Sequence, residues 1–323
     1  MLKAKLPIID VGGAAPRKAT RVRVAADLDQ AFRETGFCYV TNTGVRAGDV
    51  QAVFAESRRF HALATVAKQS LAVNAFHRGY IASGSSVIKS SSVATITRPN
   101  LSESLMVMHE VDPGAPEYGE PLQGPNQWPK QLPGFKVAVH GYMHTMTAFA
   151  RRLTRLIALA LSLPEHHLDG YFDAPTTWLR LLHYPPQPCA DPQDSFGAAP
   201  HTDYGFLTIL AQDALGGLRV KLRDGGWIDA PPLPDTFIVN VADMLARWTN
   251  DRWVSTPHMV RNTNNEARYS VPFFWDMSMH ATVECLPGCV SAGSPPRYEP
   301  VRFGDYVMAR LDKNYKYRHK DDP

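Results

Sequence analysis

Cysteine is scarce in this chain, with four among 323 residues. Cys38, Cys189, Cys285 and Cys289 are too few and too scattered for the disulfide framework that staples small secreted domains. Cys285 and Cys289 flank a Leu-Pro-Gly turn and could be bridged, but nothing else speaks for export, so free thiols are expected. The opening MLKAKLPIIDVGG lacks the apolar core of a signal peptide. The longest apolar run, around Leu156 to Leu163, falls short of the roughly 20 residues that a membrane span needs. Charge of one sign is not concentrated: the net charge is +3, and the basic cluster Lys313 to Lys320 reads as a solvated helix end. No nucleic-acid partner and no membrane are therefore expected, and a reducing cytoplasm is the default location. Familiar catalytic signatures are missing too. No Gly-x-Ser-x-Gly elbow is present, which leaves a serine hydrolase without support. His140 and His144 sit four apart on a helical stretch but lack the glutamate of His-Glu-x-x-His, so helix packing is their expected role. His166-His167 follows Pro164 and reads as loop; Gly12-Gly13 lacks a phosphate-loop context, and Asp224-Gly225-Gly226 reads as a hairpin turn.

What the chain does have is a change of character near its middle. The spacing predicts a strand at Leu6–Asp10, a helix over about 20–35 stopped by Gly36, a strand at Phe37–Val40 and a helix over about 47–61. Residues 77–120, rich in Ser, Gly and Pro and including the serine run 83–92, read as loop with short strands, the kind of long segment that often walls a binding site. A broad apolar face predicts a long helix over about 134–163, ended by Pro164. From Trp178 onward, short β-rich runs alternate with Gly, Pro, Asn and Asp: 178–184, 206–211, 218–222, 237–241, 258–260 and 269–275. A last helix is expected over about 303–317. The expected architecture is α+β: one domain over 1–323, with a mostly helical part (1–170), a jelly-roll, cupin-like double-stranded β-helix core (171–300) and a C-terminal helix (301–323).

Within that β-rich half lies His201-Thr202-Asp203, followed by His258 and by Arg268-Tyr269-Ser270. On a strand, residues i and i+2 share a face, so His201 and Asp203 can hold one metal ion while Thr202 faces away. His258 completes a two-histidine, one-carboxylate set, which leaves open positions on the ion and suits non-haem Fe(II) chemistry with dioxygen. Such a centre keeps one net positive charge. A ligand with adjacent keto and carboxylate oxygens would cancel it by bidentate binding, and its far carboxylate would need a cation of its own. Arg268 offers a permanently charged planar fork, with Ser270 and the Tyr184 phenol as further donors. The shape described is that of 2-oxoglutarate.

At these residues the chain resembles the isopenicillin N synthase-like branch of the Fe(II)/2-oxoglutarate-dependent dioxygenases, over nearly its whole length. LPIID with GFCYVTNTGV resembles the family's N-terminal region, and LRLLHYPPQP its tyrosine-bearing strand. HTDYGFLTILAQDALGGLRV, VNVADMLARWTNDRWVSTPHMV and RYSVPFF resemble its core in order and spacing. The resemblance implies iron ligands His201, Asp203 and His258, and a 2-oxoglutarate C5 carboxylate held by Arg268, Ser270 and Tyr184. It implies oxidative decarboxylation of 2-oxoglutarate to succinate and CO2, coupled to oxidation of a small molecule, most often to an alcohol. Within the branch, LRLLHYP, HTDYG, GGLRVK and LARWTND are most similar to fungal thymine dioxygenases and bacterial ethylene-forming enzymes. Some positions depart from the pattern. Leu182 stands where plant members carry Asn, Met259 where many carry Arg, and Ala242 where Gly often precedes Asp243. Ser85 and Ser86 replace acidic residues of the ethylene-forming enzymes, which argues against an arginine-binding role.

An apolar, aromatic pocket with a few polar points is the usual design for such substrates. The expected wall is Phe76, Tyr80, Ile81, Ser104, Met106, Trp178, Arg180, Tyr204 and Phe274, with Arg180 a candidate for meeting an anionic substrate. Two rival readings share the motif: an Fe(II) oxidase of the same fold that needs no 2-oxoglutarate, and a barrel that binds a metabolite without turnover.

Overall fold

The computed structural model describes residues 5–89, 91–93, 95–187, 195–262 and 265–318. Ser90, Cys189 and the end of the basic tail, His319 and Lys320, lie outside them. Strand β1 (Ile8–Asp10) runs parallel to β2 (Phe37–Thr41), and helix α1 (Lys18–Glu34) connects them. Helix α1 forms because Val24, Leu28, Ala31 and Phe32 gather on one face, all buried. The chain turns out of it at Gly36 (φ +68°), where a β-carbon would meet the Val254 carbonyl oxygen at 2.1 Å, so only glycine fits. Then come α2 (Ala47–His61), the short α3 (Thr65–Gln69), β3 (Gly79–Ile81), β4 (Glu103–Met108) and α4 (Phe135–Ala160). The second half comprises β5 (Thr176–Tyr184), β6 (Ala198–His201), β7 (Leu207–Gln212), β8 (Leu218–Lys221), β9 (Trp227–Asp229), β10 (Thr236–Val241), α5 (Asp243–Trp248), β11 (His258–Val260) and β12 (Arg268–Asp276). It closes with β13 (Thr282–Val283), β14 (Val301–Arg302) and α6 (Phe303–Asn314).

Two sheets face each other in a double-stranded β-helix. The larger has eight strands in the order β1-β2-β10-β7-β12-β5-β4-β3; the smaller is β6-β11-β8-β9. Four of the eight strands, β1 to β4, come from the part of the chain for which the sequence predicts mainly helices. Strands β1 and β2 fall where the sequence predicts strands, and β3 and β4 lie in the segment read as loop with short strands. Helices α1, α2 and α4 pack on the outer side of the large sheet. A smaller core, with Phe37, Tyr39, Leu182 and Ile238 from one sheet and Leu218, Val220 and Val260 from the other, fills part of the space between them. The predicted last helix stops three residues early, at Asn314. Among the described cysteines, Cys38, Cys285 and Cys289 are free. His140 packs edge-on against Trp128 and lies 3.6 Å from Glu110, the packing role expected of it.

A buried polar knot ties the helices to the sheet. Glu103 on β4 accepts hydrogen bonds from Lys68 (2.8 Å), His183 (2.8 Å) and the Tyr80 hydroxyl. Burial alone would raise this carboxyl, but His183, Lys68 and Tyr80 together hold it down at about 2. A carboxyl depressed on folding stabilises the protein above its ordinary value near 4.5, and that stabilisation fades as pH falls towards 2. Glu103→Gln is expected to cost about 3 kcal/mol at neutral pH by leaving the Lys68 ammonium buried and unpaired. In denaturant titrations across a pH series, the gap to the native protein should narrow below about pH 4.5; a gap that stays constant down to acid pH would rule this account out.

Candidate metal centre and its cavity

The pairing of β11 with β6 places His258 directly opposite His201, with ring centroids 4.4 Å apart. This register explains how two histidines far apart in sequence meet. Asp203 does not sit on the strand: β6 ends at His201, and Asp203 belongs to the turn leading into β7. The alternation expected for His-x-Asp therefore fails in its detail, and Thr202 also borders the cavity. The side chains converge nonetheless. Asp203 Oδ1 lies 3.8 Å from His201 Nε2 and 3.7 Å from His258 Nε2. The donor atoms of all three lie within 4.8 Å of one another, the one such cluster among the described residues.

Each remaining polar atom of the three is already engaged. His201 Nδ1 is 2.7 Å from the Ala199 carbonyl and His258 Nδ1 is 3.1 Å from that of Thr256. A carbonyl only accepts, so each Nδ1 carries the proton and each Nε2 presents its lone pair to the common point. Asp203 Oδ2 accepts from the Thr208 hydroxyl and from Asn240 Nδ2 (2.8 Å), which leaves Oδ1 free for an ion. Burial, then the neighbouring His258, pushes His201 down to about 4. Burial opposes ionisation of Asp203, yet His258 and His201 hold its carboxyl below the usual range. An ionised carboxylate beside imidazole nitrogens with open lone pairs is the donor set a divalent cation requires. Three donors at one buried point, with their other atoms tied back, fit such an ion.

Arg268 and Ser270, on one face of β12, open onto the same cavity, as does Tyr184 across from them on β5. Arg268 is 1 % exposed, with its guanidinium 4.7 Å from the Tyr184 ring centroid. Its Nε bonds the Gly216 carbonyl and one terminal nitrogen bonds Gln212 (3.0 Å). The other terminal nitrogen, Nη1, is buried without a partner. A buried cationic N–H with nothing to bond is costly, and it marks where an anionic ligand fits.

The cavity has a volume of about 160 Å³. Of the expected wall, Met106, Trp178, Arg180, Tyr204 and Phe274 line it, whereas Phe76, Tyr80, Ile81 and Ser104 do not. Phe76 packs instead on Gly124 and Tyr118, and its neighbour His77 takes the place on the wall. Tyr80 lies opposite Leu105 and turns to the helix side, where it bonds Glu103. Ile81 lies on the edge strand β3, beyond β4. Ser104 is screened by Arg180, whose Nε its hydroxyl binds at 2.8 Å. The sequence reading missed the contribution of Val307, Leu311, Asn314 and Tyr315, with which α6 and its end close the cavity. Ile88 and Asn100, from the long loop, were missed as well.

Two family descriptions match the chain: "2OG-Fe(II) oxygenase superfamily" over residues 175–276 and "non-haem dioxygenase in morphine synthesis N-terminal" over residues 6–131. A 2-oxoglutarate-Fe(II) type oxidoreductase of Emericella nidulans is 32% identical over 319 residues, covering 96% of this chain and 88% of its own. A homoarginine-6-hydroxylase of Oryza sativa is 31% identical, covering 91% of this chain and 90% of its own. Among solved structures, a full-length Neurospora crassa protein in complex with alpha-KG and thymine superposes with a TM-score of 0.84 at 29% identity, covering 95% of this chain and 96% of that one. A 2OG-Fe(II) oxygenase family protein from Caulobacter crescentus gives 0.84 at 27% identity, with 96% and 100% covered.

Proposed function

Because the chain belongs to the 2OG-Fe(II) oxygenase superfamily, we propose that His201, Asp203 and His258 are its iron ligands and that Arg268, Ser270 and Tyr184 hold the distal carboxylate of 2-oxoglutarate. The protein is an Fe(II)- and 2-oxoglutarate-dependent oxygenase: it couples decarboxylation of 2-oxoglutarate, giving succinate and CO2, to oxidation of a small molecule by dioxygen. The assignment of residues rests above all on the three inward-facing donors, whose every other polar atom is engaged elsewhere. Bound iron supplies the activation of dioxygen. The chain's part is to fix the ion with two neutral rings and one anion, and to anchor the far end of the dianion on a fork already seated against Tyr184 and Gln212. The Trp178, Phe274 and Met106 side chains offer an apolar wall against which a substrate can lie. Residues 1–323 act in this reading as one catalytic domain, since β1 to β4 are built into the same sheet as β5, β7, β10 and β12. No helix among the described residues is long and apolar enough to cross a membrane. A cytoplasmic setting, which would keep iron ferrous, is in keeping with the three free thiols.

The assignment is tested by anaerobic titration of the Fe(II)-loaded chain with 2-oxoglutarate, followed by measurement of succinate on admitting air. Binding and succinate that both require iron are the expected result. Iron binding without any binding of 2-oxoglutarate would instead make Arg268 and Ser270 a site for the substrate's own carboxylate.

A further inference from the structure

Arg180 is the cavity's other arginine, and the assigned co-substrate does not use it. It lies on β5 between Trp178 and Leu182, two residues along from each on the same face, and all three line the cavity. Ser104 accepts from its Nε at 2.8 Å. That contact fixes the plane of the guanidinium and leaves its two terminal nitrogens side by side for a ligand. Arg180 forms no ion pair among the described residues. Among the described residues, the carboxylates on the cavity wall are Asp203 and Asp276. Asp203 is committed to the two histidines, Thr208 and Asn240. Asp276 accepts from the Phe206 backbone N–H at 2.7 Å, burial raises its carboxyl, and it forms no ion pair with Arg180 among the described residues.

We propose that the prime substrate is a small carboxylic acid, bound as its anion with the carboxylate on the terminal nitrogens of Arg180; this rests on the iron and 2-oxoglutarate sites assigned above. Charge balance in the cavity leads there. A divalent ion with one carboxylate ligand keeps one positive charge, Arg268 adds a second and Arg180 a third. The 2-oxoglutarate dianion cancels two. The third calls for a singly charged anion, and a planar fork with two parallel N–H groups matches a carboxylate. A second polar point lies on the same wall. His77 is fully buried, and its Nδ1 meets the Tyr317 hydroxyl. Its Nε2 is buried and without a hydrogen-bond partner. Burial, with Arg318, Arg180 and Arg78 nearby, holds this ring well below the usual histidine range, so it adds no charge to the count. Trp178, Phe274 and Ile88 supply apolar surface for the body of such an acid.

The experiment compares isosteric pairs, benzoate with benzamide and phenylacetate with phenylacetamide, by calorimetric titration of the full chain without iron, so that the result does not depend on turnover. The acid of at least one pair is expected to bind about tenfold or more tightly than its amide. Arg180→Gln should erase that preference, Arg180→Lys should keep part of it, and Arg268→Gln should leave it in place. Retained anaerobic binding of 2-oxoglutarate by the Fe(II)-loaded Arg180→Gln variant shows that it is folded. Equal or undetectable binding of acid and amide overturns the proposal, as does a preference that survives Arg180→Gln or disappears only in Arg268→Gln. If Arg180→Gln weakens 2-oxoglutarate and not the acid, the arginine serves the co-substrate and the proposal likewise falls. Failure of the underlying assignment reads differently: the native chain loaded with Fe(II) under anaerobic conditions then does not bind 2-oxoglutarate at all.

Discussion

Asp203→Ala should abolish iron binding and turnover while leaving a folded protein. The carboxylate is the only anion among the three donors, and two neutral imidazoles alone give a weak site for a hard ferrous ion. Outer-layer partners provide the scale: Asn240→Ala, which removes one of the two donors to Asp203 Oδ2, should weaken iron binding by roughly 10- to 100-fold. Removing the ligand itself should exceed that range. The fold should tolerate the change because, among the described residues, no lysine or arginine depends on Asp203; its side-chain partners there are Thr208, Asn240 and the two imidazoles. Two hydrogen-bond donors lose an acceptor, at a cost of about 1–3 kcal/mol. Anaerobic calorimetric titration with Fe(II), beside a thermal melt by circular dichroism, separates the two effects. Iron affinity within tenfold of native would remove Asp203 from the ligand set.

The sequence made this centre legible for a reason specific to metal sites. Ligand chemistry restricts residue type so strongly that His201, Asp203 and His258 stand out before any fold is known. The route to the geometry was less legible. Strand alternation suggested that His201 and Asp203 share a face, whereas it is the turn after β6, held by Thr208 and Asn240, that brings Asp203 round. Arg268 and Ser270 do follow the strand rule, because β12 is nine residues long and paired on both sides. The substrate wall was the least legible part. Tyr80 and Ser104 look alike in sequence as polar residues near a loop, yet one faces Glu103 on the helix side and the other is used up by Arg180. Which face an edge strand presents depends on its register with β4, and a three-residue strand has too little pattern to reveal it. The apolar stripe of α6 was readable as a stripe. That Val307 and Leu311 lie against a cavity, rather than only within a core, follows from where the helix docks, which its own periodicity does not encode.

Arg268→Lys should raise the 2-oxoglutarate concentration needed for half-maximal rate, with little loss of rate at saturation. The native fork is buried and held by Gly216, Gln212 and the Tyr184 ring, with Nη1 left over for the ligand. Removing one partner of a desolvated charge pair costs about 3–5 kcal/mol, or roughly two to three and a half decades in affinity, and Arg268→Ala should show that loss. Lysine keeps the charge but not the planar pair of N–H groups, so its loss should be smaller. The anchored carboxylate keeps its charge throughout the reaction. Its contact therefore strengthens ground state and transition state alike, and its removal belongs in KM for 2-oxoglutarate and not in kcat. A structural role for Arg268, by contrast, would lower kcat and thermal stability together in both variants, because Gly216 and Gln212 would lose their donor whether or not 2-oxoglutarate is present. Steady-state kinetics with 2-oxoglutarate as the varied substrate tell these apart, and an unchanged KM in Arg268→Ala would remove this residue from the co-substrate site.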